Sequence, residues 1–181
     1  GYLNINEPLS NSTINGTVDL NKGEYGNCDN GGSWSDSYIN LSTLNIGSSG
    51  YVKMGGTVNT NQLIVNGIFG GDGNDCPLDG ITGNDANDAS ELNIITELLD
   101  INDGASISSQ GGNLTGTNFF DSRGGHGGTL NISVNLLYFD GKISVDGGRH
   151  AGANLYGDGG NAGRLYLSSQ ENLDINGTIS I

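Results

Sequence analysis

The chain is poor in basic residues, in long apolar runs, in proline and methionine, and in helical periodicity. Its 6 Lys and Arg face 20 Asp and Glu, a formal net charge of −14. So acidic a surface repels nucleic acid and anionic membranes, which removes both as partners. It suits Ca²⁺, which takes oxygen ligands. No stretch is long and apolar enough to span a bilayer, so no transmembrane segment is expected. Apolar residues at helical spacing are missing. The best candidate, "ASELNIITELLDIND" from Ala89, reads equally as a strand followed by a turn. The two cysteines, Cys28 and Cys76, lack the close Cys or His spacing of a zinc site. Both lie in Gly/Asp-rich segments, "YGNCDNGG" and "GDGNDCPLDG". A disulfide between them closes a loop of about 49 residues, which the chain-entropy model values at roughly 4 kcal/mol. That pairing implies an extracellular setting, against the alternative of two free thiols in a cytosolic protein. With neither an initiating Met nor a signal peptide, the chain reads as a processed product or the ordered part of something longer.

What is abundant is Gly, 33 residues of 181, together with Asn and Asp. Such a composition fits either a turn-rich all-β fold or a disordered chain. The Ile, Leu, Val, Phe and Tyr residues decide for the first, because they alternate with polar residues in short runs. Gly and Asn are expected to supply positive φ at the corners between strands.

Two phrases recur. One is a corner: "STINGTVDL" around Gly16, "LIVNGIF" around Gly67, "LLDINDGASIS" around Gly104, "LLYFDGKISV" around Gly141 and "LDINGTISI" around Gly177. The later corner glycines follow one another by roughly 36 residues, within the range of solenoid repeats. The other is "LNI" at Leu3, Leu44, Leu92 and Leu130, with "LYL" at Leu165, whose first and third residues share one face of a strand. The expected fold is a parallel β-helix of about five irregular rungs with Gly/Asn-rich loops, forming a single domain over 1–181. Its second copy carries an extra strand-like piece, "YVKMGGTV", and an acidic loop insertion follows at 72–88. Asn-Gly between alternating apolar residues is also a hairpin signal, so an antiparallel sandwich or jelly roll is the alternative. Constant corner spacing favours the solenoid.

The pattern "GGHGGTLNISVNLLYFDGKISVDGG…GDGGNAGRLYLSSQENLDINGTISI" resembles the glycine-rich parallel β-helix repeats of large secreted adhesin-like and filamentous surface proteins, the filamentous haemagglutinin-like and polymorphic outer-membrane families among them. The resemblance is good over 92–181, fair over 1–20 and poor over 21–90. It implies an extracellular, elongated, structural or adhesive part, and it carries over no catalytic residue.

One repeat cannot bury its own apolar face, so repeats are stable only as stacks. A stack ending on a bare layer exposes a sheet edge and an open core. Neither end of the sequence shows a helix, a Pro-rich cover or a charge cluster to blunt that edge. Leu3, Ile5 and Val18 at one end, and Leu173, Ile175, Ile179 and Ile181 at the other, are therefore the candidate assembly surfaces. The leading functional reading is a subunit or segment of an extracellular filament or surface appendage that assembles end to end with itself. The alternative is an adhesin or carbohydrate-binding module that contacts surface glycans through its Gly-rich loops. A polysaccharide-cleaving enzyme is a distant third.

"GGDGND" at 70–75 is similar to the Ca²⁺-binding nonapeptide of secreted toxins, and Asp72, Asn74, Asp75, Asp79, Asp85 and Asp88 form the candidate metal set. His126 and His150 occupy related loop positions beside Arg123 and Arg149. With Asp140, Asp146 and Asp158 nearby, two carboxylates would be at hand for a sugar-cleaving site. The paired Asp motif and the basic motif of polygalacturonases are absent, and no catalytic residue is assigned. Glycosylation sequons begin at Asn11, Asn15, Asn40, Asn113, Asn131 and Asn176. The aromatic residues do not share one repeat position, which argues against an aromatic platform for sugars, and no regular Thr array marks an ice-binding face.

Overall fold

The computed structural model describes residues 3–20, 37–75, 86–114, 123–149, 159–171 and 173–181. Each layer of the molecule is a long strand, a corner and a three-residue strand. The layers are β1 (Asn4–Ile14) with β2 (Thr17–Asp19), β3 (Ser37–Ile46) with β4 (Tyr51–Lys53), and β5 (Gly56–Val65) with β6 (Ile68–Gly70). They continue with β7 (Leu92–Ile101) and β8 (Ser106–Ser108), then β9 (Thr129–Phe139) and β10 (Lys142–Ser144). In the last, β11 (Arg164–Ser169) and β12 (Leu173–Ile175) share the long position, and β13 (Thr178–Ser180) is the short strand. The long strands stack in the order β1-β3-β5-β7-β9-β11, with β12 on β9, and the short ones in the order β13-β10-β8-β6-β4-β2. Every pairing is parallel, the topology of a β-helix, and the sandwich is excluded. No helix among the described residues is long and apolar enough to cross a membrane.

The strands make six layers where the corner phrases suggest five. The long second copy is two layers, because "YVKMGGTV" is the end of one and the start of the next, joined only through Met54 and Gly55. Its corner, Gly47 to Gly50, has no Asn-Gly phrase. It is closed by the Gly50 N–H donating to the Gly47 carbonyl at 2.7 Å. Register also separates the "LNI" phrases. Leu92, Leu130 and Leu165 share a column, but Leu44 falls in the column of Leu63, Leu99, Leu137 and Leu173.

Alternation along each strand sends one set of side chains inward. Ile39, Val58, Ile94 and Ile132 form one buried column, Ile46, Val65, Ile101 and Phe139 another, and Val52, Phe69, Ile107 and Ile143 close the core from the short sheet. The stacking of Ile101 on Phe139 in one parallel sheet is the register that the corner phrases predict. Thr60 and Thr96 are buried within this apolar wall, and their hydroxyls are satisfied, Thr60 donating to Thr96 at 3.1 Å and Thr96 to the Leu98 carbonyl at 2.9 Å.

Among the described residues only Gly56 and Gly104 have positive φ, 109° and 78°. The expectation that corner glycines supply positive φ therefore holds at Gly104 and fails at most corners. At Gly141 the constraint is height: a Cβ there would stand 2.5 Å from the Ala105 carbonyl oxygen of the layer before.

Beyond the short strands the chain leaves the β-helix in outbound segments, 71–75, 109–114 and 145–149, and comes back in return segments, 86–91, 123–128 and 159–163. These segments form a second body. Four successive N–H groups of one return segment show its rule. Gly125 donates to the Gly112 carbonyl at 2.9 Å, and His126 to the Asp88 carboxylate at 2.6 Å. Gly127 donates to the Asn161 carbonyl at 2.9 Å, and Gly128 to the Ser109 carbonyl at 2.9 Å. The direction repeats at the fourth residue: across to the outbound stack, outward, on to the next layer, and across again. A chain with three residues per turn and no internal hydrogen bonds is of the polyproline II kind. The hydrogen bonds that link the two stacks run as a zigzag, Gly112 to Asn87, Gly125 to Gly112, Gly148 to Gly125 and Gly160 to Gly148. Side chains do not fit between such chains. A Cβ on Gly112 would overlap the Asn74 carbonyl, one on Gly125 the Asn87 carbonyl, and one on Gly160 the Gly125 carbonyl.

Candidate functional site

The acidic segment is the first outbound layer of this glycine slab. In a threefold chain one N–H in three faces away from both stacks and needs an acceptor of its own. Side chains of the preceding layer supply it. Asp72 accepts from the Gln110 N–H at 2.8 Å, Asp75 from the Asn113 N–H at 2.7 Å, and Asn113 in turn from the Arg149 N–H at 2.8 Å. On the return stack Asp88 accepts from His126, and His126 Nδ1 accepts from the Asn161 N–H at 2.8 Å. Asp72 takes a further bond from the Ser108 hydroxyl at 2.9 Å. Of the candidate metal set, Asp72, Asn74, Asp75 and Asp88 are thus placed as hydrogen-bond acceptors of the slab, and Asp79 and Asp85 lie outside the described residues. No group of three or more His, Cys, Asp or Glu is arranged to hold a metal among the described residues.

Lys53 closes the slab on the side of the earlier layers. The second layer passes directly into β5 without an outbound segment, and the Lys53 side chain, 7% exposed, occupies that level. Its ammonium donates to the Gly73 carbonyl at 3.3 Å and to Asn74 Oδ1 at 2.7 Å. Burial lowers the Lys53 pKa, opposed by the nearby charges of Asp19, Asp72 and Asp75. Tyr51, beside it, is raised by burial and then by Asp72, Asp19 and Asp75.

The next polar column joins the slab to the short sheet. Asp146 accepts from Ser144 at 2.6 Å, from Ser180 at 2.8 and 2.9 Å and from Gln110 at 3.2 Å. These donors, Ser144 foremost, hold its carboxyl below the ordinary carboxylate range against the opposing effect of burial. Asp140 lies at the other end of β10, at the corner, so it and Asp146 do not share one site. His126 is built into the slab, and His150 and Asp158 lie outside the described residues, as do Cys28 and Cys76.

The sequon asparagines are spread over the surface. Asn15 and Asn176 stand at corners. Asn40, Asn113 and Asn131 donate through Nδ2 to Asn6 at 2.8 Å, to Asp75 at 3.1 Å and to Asn93 at 2.7 Å. Asn11 lies in β1 next to an irregularity in its pairing with β3.

In the first and last layers described, Leu173 is 51% accessible, Ile175 43%, Ile179 40% and Ile181 69%, and Leu3, Ile5 and Val18 are partly covered. Each end layer also carries extra residues at the same bend of the long strand. Four residues lie between Glu7 and Ser12 and three between Ser169 and Leu173, where the neighbouring layers have two. Pro8 and Leu9, the latter 94% exposed, sit in the first of these bulges. Bulges and edge proline are devices that blunt an exposed edge, so over this stretch the ends are not bare.

On the outer face of the long sheet, register assembles something that residue type alone concealed. Tyr38, Thr57, Asn93, Asn131 and Tyr166 form one outward column. Two of the aromatics therefore share a repeat position, although the aromatics as a set do not. The signal was the matching of "SYI" and "LYL" with "LNI" at the outward second residue. A groove of about 710 Å³ runs beside this column, lined by Thr57, Asn93, Ile95, Asn131, Ser133 and Tyr166 among others. Comparison with family models, with curated proteins and with solved structures gives no match.

Proposed function

We propose that the protein is a β-helical segment of an extracellular filament or surface appendage, whose stack continues from one copy to the next through its end layers. The observation that carries this reading is the shared register of the two ends. Extending the columns across a joint sets Leu165 over Leu3, Leu167 over Ile5, Ile175 over Ile14 and Ile179 over Val18, apolar on apolar at each position. Main-chain pairing would fall to 3–7 with 165–169, to 12–14 with 173–175 and to 17–19 with 178–180, leaving the two bulged bends to face each other. Such a contact is heterologous and propagates into a fibre. The net charge of −14 opposes association, so screening by salt favours growth.

The test is sedimentation and negative-stain microscopy across protein concentration, at low and high salt. Fibres that form faster in high salt, and are abolished by Ile179→Lys while that variant keeps the parent's melting temperature, support the reading. A parent that stays monomeric at every concentration and salt, or fibres that survive Ile179→Lys, reject it.

A further inference from the structure

We propose that the groove on the outer face of the long sheet binds a neutral oligosaccharide lying along the stack axis. The site lies on the flank, clear of the end layers' apolar columns except at Tyr166 and its neighbours in β11, and does not depend on assembly.

Three observations point to the ligand. None of the residues lining the groove is Asp, Glu, Lys, Arg or His, in a chain with a net charge of −14. Glu91 and Arg164, of opposite sign, stand one register position outside it. A charged ligand would find no counter-charge within the groove. Set among its larger apolar surface, the lining also carries side-chain donors and acceptors that the described residues do not fully use. Asn131 Nδ2 donates to Asn93 Oδ1 at 2.7 Å and to Glu91 at 3.2 Å. This fixes both amide planes and leaves Asn93 Nδ2 as a donor and Asn131 Oδ1 as an acceptor. Thr57, Ser133, Ser168 and Tyr166 add hydroxyls that do both. Sugar hydroxyls also donate and accept, and pairs of oriented amides are suited to them. Finally, Tyr166 is 55% exposed and Ile95 49%, so apolar surface lies open next to those amides. The ring of Tyr166 offers a face for the C–H side of a pyranose and a polar tip for its hydroxyls. From Tyr166 the groove follows the column over Asn131 and Asn93 to Thr57, three layers away, roughly 14 Å at the usual strand spacing. A floor of that length, with the Tyr166 ring at one end, selects a short chain of sugars over a single one.

The test uses isothermal titration calorimetry with cellohexaose, maltohexaose and N-acetylchitohexaose as neutral probes and hexagalacturonate as the acidic control. At least one neutral probe should bind and hexagalacturonate should not. Tyr166→Ala and Asn93→Ala should each weaken that binding at least tenfold with the melting temperature unchanged. Lys142→Ala, on the short sheet, should leave it intact. Absence of binding by all three neutral probes at millimolar concentration overturns the proposal. So does binding that survives Tyr166→Ala, or equal binding of hexagalacturonate. Self-association that is lost in Tyr166→Ala without any sugar binding would assign the groove to a second copy of the chain and overturn it as well. Because the calorimetry is done on monomer at low salt, the filament reading and this one fail separately.

Discussion

The apolar wall and the glycine slab are built from the same chain, layer by layer, but they keep order by opposite means. In the wall, side chains fill space. Ile46, Val65, Ile101 and Phe139 are buried in one column, and each of these layers is held by packing as much as by its ladder. In the slab, glycines such as Gly112, Gly125 and Gly160 leave no room for a side chain where the two stacks meet. Order comes from main-chain hydrogen bonds that leave each segment in three directions, and Asp72, Asp75 and Asp88 serve as acceptors on the outer surface. Removing atoms therefore harms the first region, and adding them harms the second.

The largest expected effect is the sharpest test of that contrast. Gly112→Ala or Gly125→Ala adds one carbon against a fixed carbonyl, and the segments on either side must move apart. We expect a loss of about 3 kcal/mol or more in urea unfolding, in the range of severe overpacking and lost main-chain bonds. Ile101→Val, which removes one carbon from the wall, should cost only about 0.5–1.5 kcal/mol. Gly16→Ala, with no atom within 4 Å of the new Cβ, is the control and should be nearly neutral. Equal costs for Gly112→Ala and Gly16→Ala would mean that the slab is not packed as described.

Next in size is loss of the slab's cover. Lys53→Met leaves the Gly73 carbonyl and Asn74 without their ammonium donor, beside Asp19, Asp72 and Asp75. A destabilisation of about 1–3 kcal/mol is expected, the cost of buried polar groups left without a partner. An unchanged midpoint would show that the cation is dispensable there. Asp75→Ala, which deprives the Asn113 N–H of its acceptor at an exposed position, should cost less, about 0.5–1.5 kcal/mol.

The pH dependence divides the acidic residues by sign. Asp146 has a folded pKa below its unfolded value of about 3.9. Its contribution is therefore present above about pH 4 and is lost as pH falls through the lower folded value. In Asp146→Asn, melting temperature should fall less steeply below pH 4 than in the parent. Asp100 has the opposite shift: burial and then the charge of Asp140 raise its pKa. Its ionised form opposes folding, so Asp100→Asn should raise the melting temperature slightly at pH 7. The gain should vanish below about pH 4, where both states bind the proton. A lower melting temperature at pH 7 would contradict that assignment.

Much of the wall was legible because a half-buried strand writes its geometry into sequence with a period of two. "LNI", "LDI" and "TIS" each declare which residues point inward, and the Asn-Gly or Asp-Gly corners declare where the chain turns. The count of layers was less legible, since Gly47 to Gly50 makes a corner without the phrase, and Met54 and Gly55 make a link without a loop. The slab was hidden. Glycine marks permissiveness in a loop and crowding in a bundle alike, and "GGHGG" does not say which. The acidic residues between the glycines did not declare their part in the slab, because carboxylates offer the same oxygens to a metal and to an N–H.

What the sequence by itself determined is the all-β class and which residues of each strand point inward, with constant corner spacing favouring the parallel stack over a sandwich, because alternation and repeat length are local and are copied from layer to layer. Only the tertiary structure decided which distant residues share a column: Tyr38 with Tyr166 on the outer face, Asp72 under Gln110, Lys53 under Gly73 and Asn74. The reason is that register between layers depends on the summed length of every strand, corner and loop in between. A single unrecognised corner shifts that sum, and no short window of sequence contains it.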